Sequence, residues 1–128
     1  MSRCGGQSEV YAPPSFMVLA LGIDLVEVAR IERAMRRGGF VERVLHPSER
    51  NRRITPAYVA GRWAAKEAVK KCCPWVSSWH DVVVLSNPQP SAKVLGMPHG
   101  EHVIISITHE RTHAAAVAVR HCEPKASS

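Results

Sequence analysis

Long hydrophobic runs are missing from this chain. No apolar stretch approaches the roughly 20 residues that a membrane-crossing helix needs, and the strand-like run Phe16 to Ile23 stops after eight residues at Asp24. Met1 to Ser15, rich in Gly, Ser and Pro, has no apolar core of signal-peptide length. A soluble protein is expected, with residues 1–15 a disordered extension and Met17 an alternative start. Cysteine is scarce and unpatterned: Cys4, Cys72, Cys73 and Cys122 make no C-x-x-C pair. That argues against a zinc ribbon and a disulfide scaffold and suits reduced thiols in a cytoplasm. Acidic residues are in deficit, 11 against 17 Lys and Arg, for a formal charge of +6. Such a balance favours an acidic partner: nucleic acid, a phosphorylated ligand or an acidic protein. Aromatics are only 5% of the chain, the basic residues are spread through two helical stretches, and no nucleic-acid motif stands out. These features weigh against nucleic acid. The chain has no evident repeat, and its 128 residues suit one domain with a modest core. That domain is expected over residues 16–122, with a loose tail at 123–128.

The stretch Thr55 to Lys71 organises the rest. Thr55 can cap a helix start, Pro56 suits the first helical position and Pro74 closes the run, giving about four turns of helix. At helical spacing Ala60, Ala64, Glu67, Ala68 and Lys71 share one face, while Arg62, Lys66 and Lys70 share another. The first face is narrow enough for close approach of another element, yet it carries a carboxylate, and a carboxylate taken out of water needs a partner. Two partners remain open for Glu67: Lys71 four residues on, or a divalent metal shared with a second acid.

Phe16 to Ile23 reads as a strand buried on both faces, with Asp24 either a working acid at its end or the cap of the following helix. From Glu27 to Arg37, Val28, Ile31 and Met35 recur at helical spacing among Arg30, Arg33, Arg36 and Arg37, an amphipathic helix with a basic outside. Gly38-Gly39 stops it. Ser48 is expected to cap a short turn before the organising helix. Beyond the Trp75 and Trp79 loop, strands are expected at Asp81 to Leu85, Ala92 to Leu95, His102 to Thr108 and Ala114 to Val119, with Asn87 to Pro90 a turn and His109 to His113 closing a hairpin. The order implies an α+β domain, helices packed on one face of a mainly antiparallel sheet. His109-Glu110-Arg111-Thr112-His113 also matches the H-E-x-x-H pattern of zinc peptidases, but that chemistry needs both imidazoles on one helix face. The strand-like flanks argue against it.

Four segments occur in order: Gly22-Ile23-Asp24-Leu25-Val26-Glu27-Val28-Ala29-Arg30-Ile31, Gly61-Arg62-Trp63-Ala64-Ala65-Lys66-Glu67-Ala68, Trp79-His80-Asp81 and Ser106-Ile107-Thr108-His109. Together they resemble the holo-[acyl-carrier-protein] synthase family, the small 4′-phosphopantetheinyl transferases. The resemblance spans Val18 to Val119. It implies an α+β fold, a cytoplasmic homotrimer with active sites between subunits, and a place in fatty acid and lipid metabolism. The implied reaction moves phosphopantetheine from coenzyme A to a serine of apo-acyl carrier protein and releases adenosine 3′,5′-bisphosphate. It further implies Asp24 and Glu67 as magnesium ligands and Lys71 beside the reacting phosphate. A water relayed through Glu67 or Asp24, or else His109, would serve as base. The acidic carrier would dock on the first helix, at Arg30 with Arg33, Arg36 and Arg37. Trp63 is an apolar anchor for it or part of the core. Arg62, Lys66 and Lys70 would face the coenzyme A phosphates. Where the family commonly has a Gly-Thr-Gly-like loop, this chain has Cys72-Cys73-Pro74-Trp75-Val76, which keeps open a scaffold that binds coenzyme A or a carrier without turnover.

Overall fold

The computed structural model describes residues 17–86 and 90–123. The expected N-terminal extension, Phe16, the turn at Asn87 to Gln89 and the tail beyond Glu123 lie outside the described residues. Strand β1 (Met17–Glu27) leads into helices α1 (Val28–Met35), α2 (Phe40–Val44) and α3 (Pro56–Cys72), followed by β2 (Val82–Leu85), β3 (Ser91–Val94), β4 (Glu101–His109) and β5 (His113–Cys122). Single 3-10 turns occupy Pro47–Glu49 and Trp79–Asp81. The strands form one sheet in the order β1-β5-β4-β3-β2, every neighbouring pair antiparallel. α3 lies across β1, β5 and β4. This is the expected α+β arrangement, and among the described residues no helix is long and apolar enough to cross a membrane.

α3 forms for the local reasons read from its ends. The Thr55 side chain accepts the Tyr58 amide at 3.1 Å, and Pro56 supplies a preset backbone angle at the first turn. Cys73, ahead of Pro74, has left the helical region, as the proline ring demands. Val59, Ala60, Ala64, Ala65, Ala68, Val69 and Cys72 are buried against the sheet and the short helices. The small side chains set how near the sheet can come. A Cβ placed on Gly22 of β1 would fall 1.9 Å from the Ala68 carbonyl oxygen, so only glycine permits this near-backbone contact between β1 and α3.

Several local expectations are corrected. β1 runs three residues past Asp24, which is neither at the strand end nor a helix cap; Glu27 stands before α1. β1 is not buried on both faces. Its inner residues Gly22 and Val26 face α3 and the core, whereas Leu21, Ile23 and Leu25 are 63%, 67% and 65% exposed. Strand alternation separates the two sets, and a run apolar on both faces conceals it from the sequence. α1 ends at Met35, two residues before Arg37. His46, not Ser48, caps the 3-10 turn, its ring nitrogen accepting the Ser48 amide at 3.1 Å. The β4–β5 hairpin is present, and its turn places His109 and His113 at the ends of two strands, closed by the Glu110 amide donating to the His113 carbonyl at 2.9 Å. The one-helix-face geometry of a zinc peptidase is therefore absent from this segment.

Candidate active site

The seam between β1 and α3 collects the first group of side chains. Asp24, two residues beyond Gly22 on the same face of β1, is turned toward the last turns of α3. Lys71 meets it there: its Nζ donates to the Ile23 carbonyl at 2.7 Å and to Asp24 Oδ1 at 3.3 Å. Glu67 stands one helical turn before Lys71 and pairs with Lys70 at 3.7 Å rather than with Lys71. The Lys70 ammonium also lies 4.2 Å from the Trp79 ring centroid. The Asp24 and Glu67 side chains are 17% and 25% exposed, sheltered yet reachable from water. Lys71 thus ties Asp24 of β1 to α3, with Glu67 one turn away on the same helix.

A second group lies toward the start of α3. Arg52, Tyr58, Arg62, Pro90, Ile107 and His109 line a cleft of about 400 Å³, a size suited to a small-molecule ligand. The Arg52 and Arg62 guanidiniums sit 4.0 and 4.8 Å from the centroid of the Tyr58 ring, whose π-face suits cations. Arg62 also donates to the Ser86 hydroxyl at 3.1 Å. Beyond the cleft, at the hairpin turn, hydrogen bonds from Thr112 hold the Glu110 carboxyl below its usual range. The cleft's lining includes none of Asp24, Glu67 or Lys71. Within one chain the candidate residues therefore form two groups on different parts of α3.

Three other assignments receive a definite place. Arg30, Arg33, Arg36 and Arg37 are all exposed on or just beyond α1, with Ile31 and Ala34 turned inward. Trp63 packs between Phe40 and Trp79, at centroid distances of 5.7 and 4.5 Å, and carries the Arg30 guanidinium at 5.8 Å. It is a partly buried edge of the core with a cationic lid. Lys66 is where the sequence reading departs furthest from the structure. Grouped by spacing with Arg62 and Lys70 as a phosphate-facing residue, its side chain is 0% exposed and donates to Glu49 Oε1 at 2.7 Å, the Val44 carbonyl at 2.8 Å and the Trp79 carbonyl at 3.2 Å. Burial pushes its ammonium below the ordinary lysine value, while the hydrogen bond and charge of Glu49 oppose that shift. It does not face a phosphate-binding surface.

The 4′-phosphopantetheinyl transferase superfamily model matches residues 20–119, a span that includes both groups. The chain belongs to this superfamily. It is 34% identical to the holo-[acyl-carrier-protein] synthase of Ralstonia nicotianae over 87% of its own length and 97% of that protein. To the holo-[acyl-carrier-protein] synthase of Thermus thermophilus it is 37% identical, over 80% and 93%. Its fold matches the crystal structure of a holo-(acyl-carrier-protein) synthase from Bacillus anthracis in complex with CoA (3′,5′-ADP), with a TM-score of 0.72, 30% identity, and coverage of 84% of this chain and 99% of that one.

In this transferase the segment after α3 is filled by side chains rather than opened by glycines. Cys72 and Cys73 are buried free thiols, the latter pushed up to about 12 chiefly by burial. Trp75 donates from its ring nitrogen to the Leu95 carbonyl at 3.0 Å, and Arg120 bonds the Cys72 carbonyl and Glu101, each at 2.7 Å. Arg52 and Tyr58 were not singled out by the sequence reading as cleft residues. The signal for Arg52 was the basic run Arg50, Arg52, Arg53 directly ahead of α3, which reads as a polar lead-in until the fold sets Arg52 against the Tyr58 ring.

Proposed function

We propose that this chain transfers 4′-phosphopantetheine from coenzyme A to a serine of an apo-acyl carrier protein, releasing adenosine 3′,5′-bisphosphate. The observation that carries this reading is the β1–α3 seam, where Asp24 and Glu67 lie on adjoining elements with Lys71 at Asp24. Its donor set fits magnesium, which takes oxygen ligands and is commonly held by one or two carboxylates together with substrate phosphates. Among the described residues there is no cluster of three or more His, Cys, Asp or Glu side chains of the kind that encloses a metal, and a magnesium site that substrate oxygens would complete does not require one. Asp24 and Glu67 would hold the ion, which when bound neutralises pyrophosphate charge.

The chain's own residues supply positioning and charge. Lys71, half exposed and held at its tip by the Ile23 carbonyl, is a compact point charge that stabilises the leaving phosphate. Arg62, with Arg52 beside it, gives the cleft the cationic wall that a 3′-phosphate or pyrophosphate needs, and Lys70 extends positive charge past Glu67. His109 lies in the cleft group and serves as the serine's base only where the two groups meet. The serine proton otherwise leaves toward Asp24 or Glu67.

The two groups meet if copies of the chain assemble. Leu21, Ile23 and Leu25 present an apolar stripe on the outer face of β1, and exposed Val117 of β5 and Ile104 of β4 continue it. An apolar strip of this kind on an edge strand and its neighbours calls for a covering surface. A second and third copy, closing a homotrimer, supply it and set the seam of one chain against the cleft of the next. The carrier docks on the exposed arginines of α1, whose charge attracts an acidic partner. The free thiols at Cys72, Cys73 and Cys122 support a reducing compartment, the cytoplasm.

The test is direct. Purified protein, magnesium, coenzyme A and an apo-carrier are combined and the carrier is weighed by mass spectrometry. A gain of one phosphopantetheine on the carrier serine is expected, and its loss on chelation of the metal. Tight binding of coenzyme A or carrier with no mass gain on any of several apo-carriers would instead favour a binding module built on the same scaffold, the reading that the altered Cys72 to Val76 segment motivates.

A further inference from the structure

Beneath the cleft lies a carboxylate that neither group uses. The Glu49 side chain is 2% exposed and nearly saturated with donors: Lys66 Nζ at 2.7 Å, the His46 amide at 2.7 Å and the Val84 amide at 2.8 Å, with Arg62 Nε 4.0 Å from its second oxygen. The Glu49 main-chain carbonyl accepts the Tyr58 hydroxyl at 2.7 Å. One residue therefore joins the 3-10 turn, α3 and the edge strand β2, and through Lys66 it reaches α2 and the second 3-10 turn. A buried ion pair of this kind is a poor source of stability, because desolvation consumes most of the attraction and apolar replacements often do as well. What it does supply is fixed geometry: it bonds one cleft residue, Tyr58, and faces a second, Arg62, as an ion pair at 4.0 Å, and the ring and guanidinium of these two stack at 4.8 Å.

We propose that Glu49 is a positioning residue for coenzyme A, holding Arg62 through its carboxylate and Tyr58 through its carbonyl so that the cationic wall of the cleft is set before the ligand arrives. Preset donors spare the ligand the ordering that loose arginines would demand. This rests on the cleft being the coenzyme A half of the site. Lys66 belongs to the same device from the inside: it neutralises Glu49 and fastens it to two carbonyls, leaving the second carboxylate oxygen turned toward Val84 and Arg62.

The experiment is calorimetric titration of coenzyme A into the intact protein and its variants, each first shown folded by thermal unfolding. Glu49→Asp keeps the charge opposite Lys66 but draws the carboxylate back by one methylene. The paired change Glu49→Gln with Lys66→Met removes both charges together, so that neither is left buried alone, and it serves if the first variant fails to fold. Either is expected to weaken coenzyme A binding by about tenfold, within the range for directly coupled neighbours, and to raise the KM for coenzyme A with little change in kcat. In an Arg62→Ala background the same change should cost no further affinity. An equal loss with and without Arg62 would show Glu49 acting only as a brace of the fold, and unchanged affinity in folded Glu49 variants would overturn the inference alone. Wild-type protein that binds no coenzyme A would overturn it together with the functional reading.

Discussion

Asp24→Asn and Glu67→Gln should each remove phosphopantetheine transfer by roughly 10²–10³-fold, the loss typical when one preorganised electrostatic group at a reacting centre is deleted. The fold should survive both changes. Asp24 and Glu67 remain in contact with water and their partners Lys71 and Lys70 are exposed and partly exposed, so each ion pair contributes about 0–1 kcal/mol. The amides are near-isosteric and remove charge without opening a cavity. Mass spectrometry of the carrier reports transfer, thermal unfolding reports the fold, and coenzyme A titration with and without magnesium reports whether the lost step depends on the ion. An Asp24→Asn protein that transfers at the wild-type rate would remove the seam from the mechanism. Loss of transfer accompanied by a large drop in unfolding temperature would reduce both acids to structural parts.

The second large effect is expected from the outer face of β1. Ile23→Glu puts a charge on a side chain that is 67% exposed and does not enter the chain's own core, so each copy should still fold. Between copies the same charge would be buried without a partner, which costs far more than the lost apolar contact. Sedimentation is expected to show single chains, and transfer is expected to fall with assembly, because the proposed site joins the seam of one copy to the cleft of the next. A protein that stays single and keeps full activity would mean that one chain completes its own site.

The sequence made the helical elements legible where capping chemistry and spacing are local. Thr55, Pro56 and Pro74 bound α3 as expected, and the Val28, Ile31 and Met35 spacing marks the inner side of α1. The β4–β5 hairpin was legible from its alternation, and that alternation set aside the H-E-x-x-H reading. The failures share one cause: the deciding partner lies far along the chain. Lys66 falls on the same nominal face as Arg62 and Lys70, and nothing local tells that Glu49, 17 residues earlier, draws it into the core. Glu67 and Lys71 have the spacing of a helix pair, yet Lys71 reaches 47 residues back to Asp24 and leaves Glu67 to Lys70. For β1, an uninterrupted apolar run reads as burial on both sides, whereas the chain itself covers only one of them. The seam was legible in its parts, because Gly22, Asp24, Glu67 and Ala68 all stand in two of the four segments that carried the family resemblance. Its close contact rests on a glycine lacking a Cβ, which becomes visible only when Ala68 is placed against it.

The claim on which the account turns is that one chain's carboxylates work with the next chain's cleft. Mixing tests it most directly: Asp24→Asn and Arg62→Ala proteins, each impaired alone, are combined in equal amounts, dissociated and reassembled, and transfer to the apo-carrier is measured by mass. Random closed trimers would then hold intact sites in about a quarter of positions, so that about a quarter of wild-type activity should return. Activity no higher than the average of the two separate variants, in mixtures shown to have exchanged chains, would contradict it.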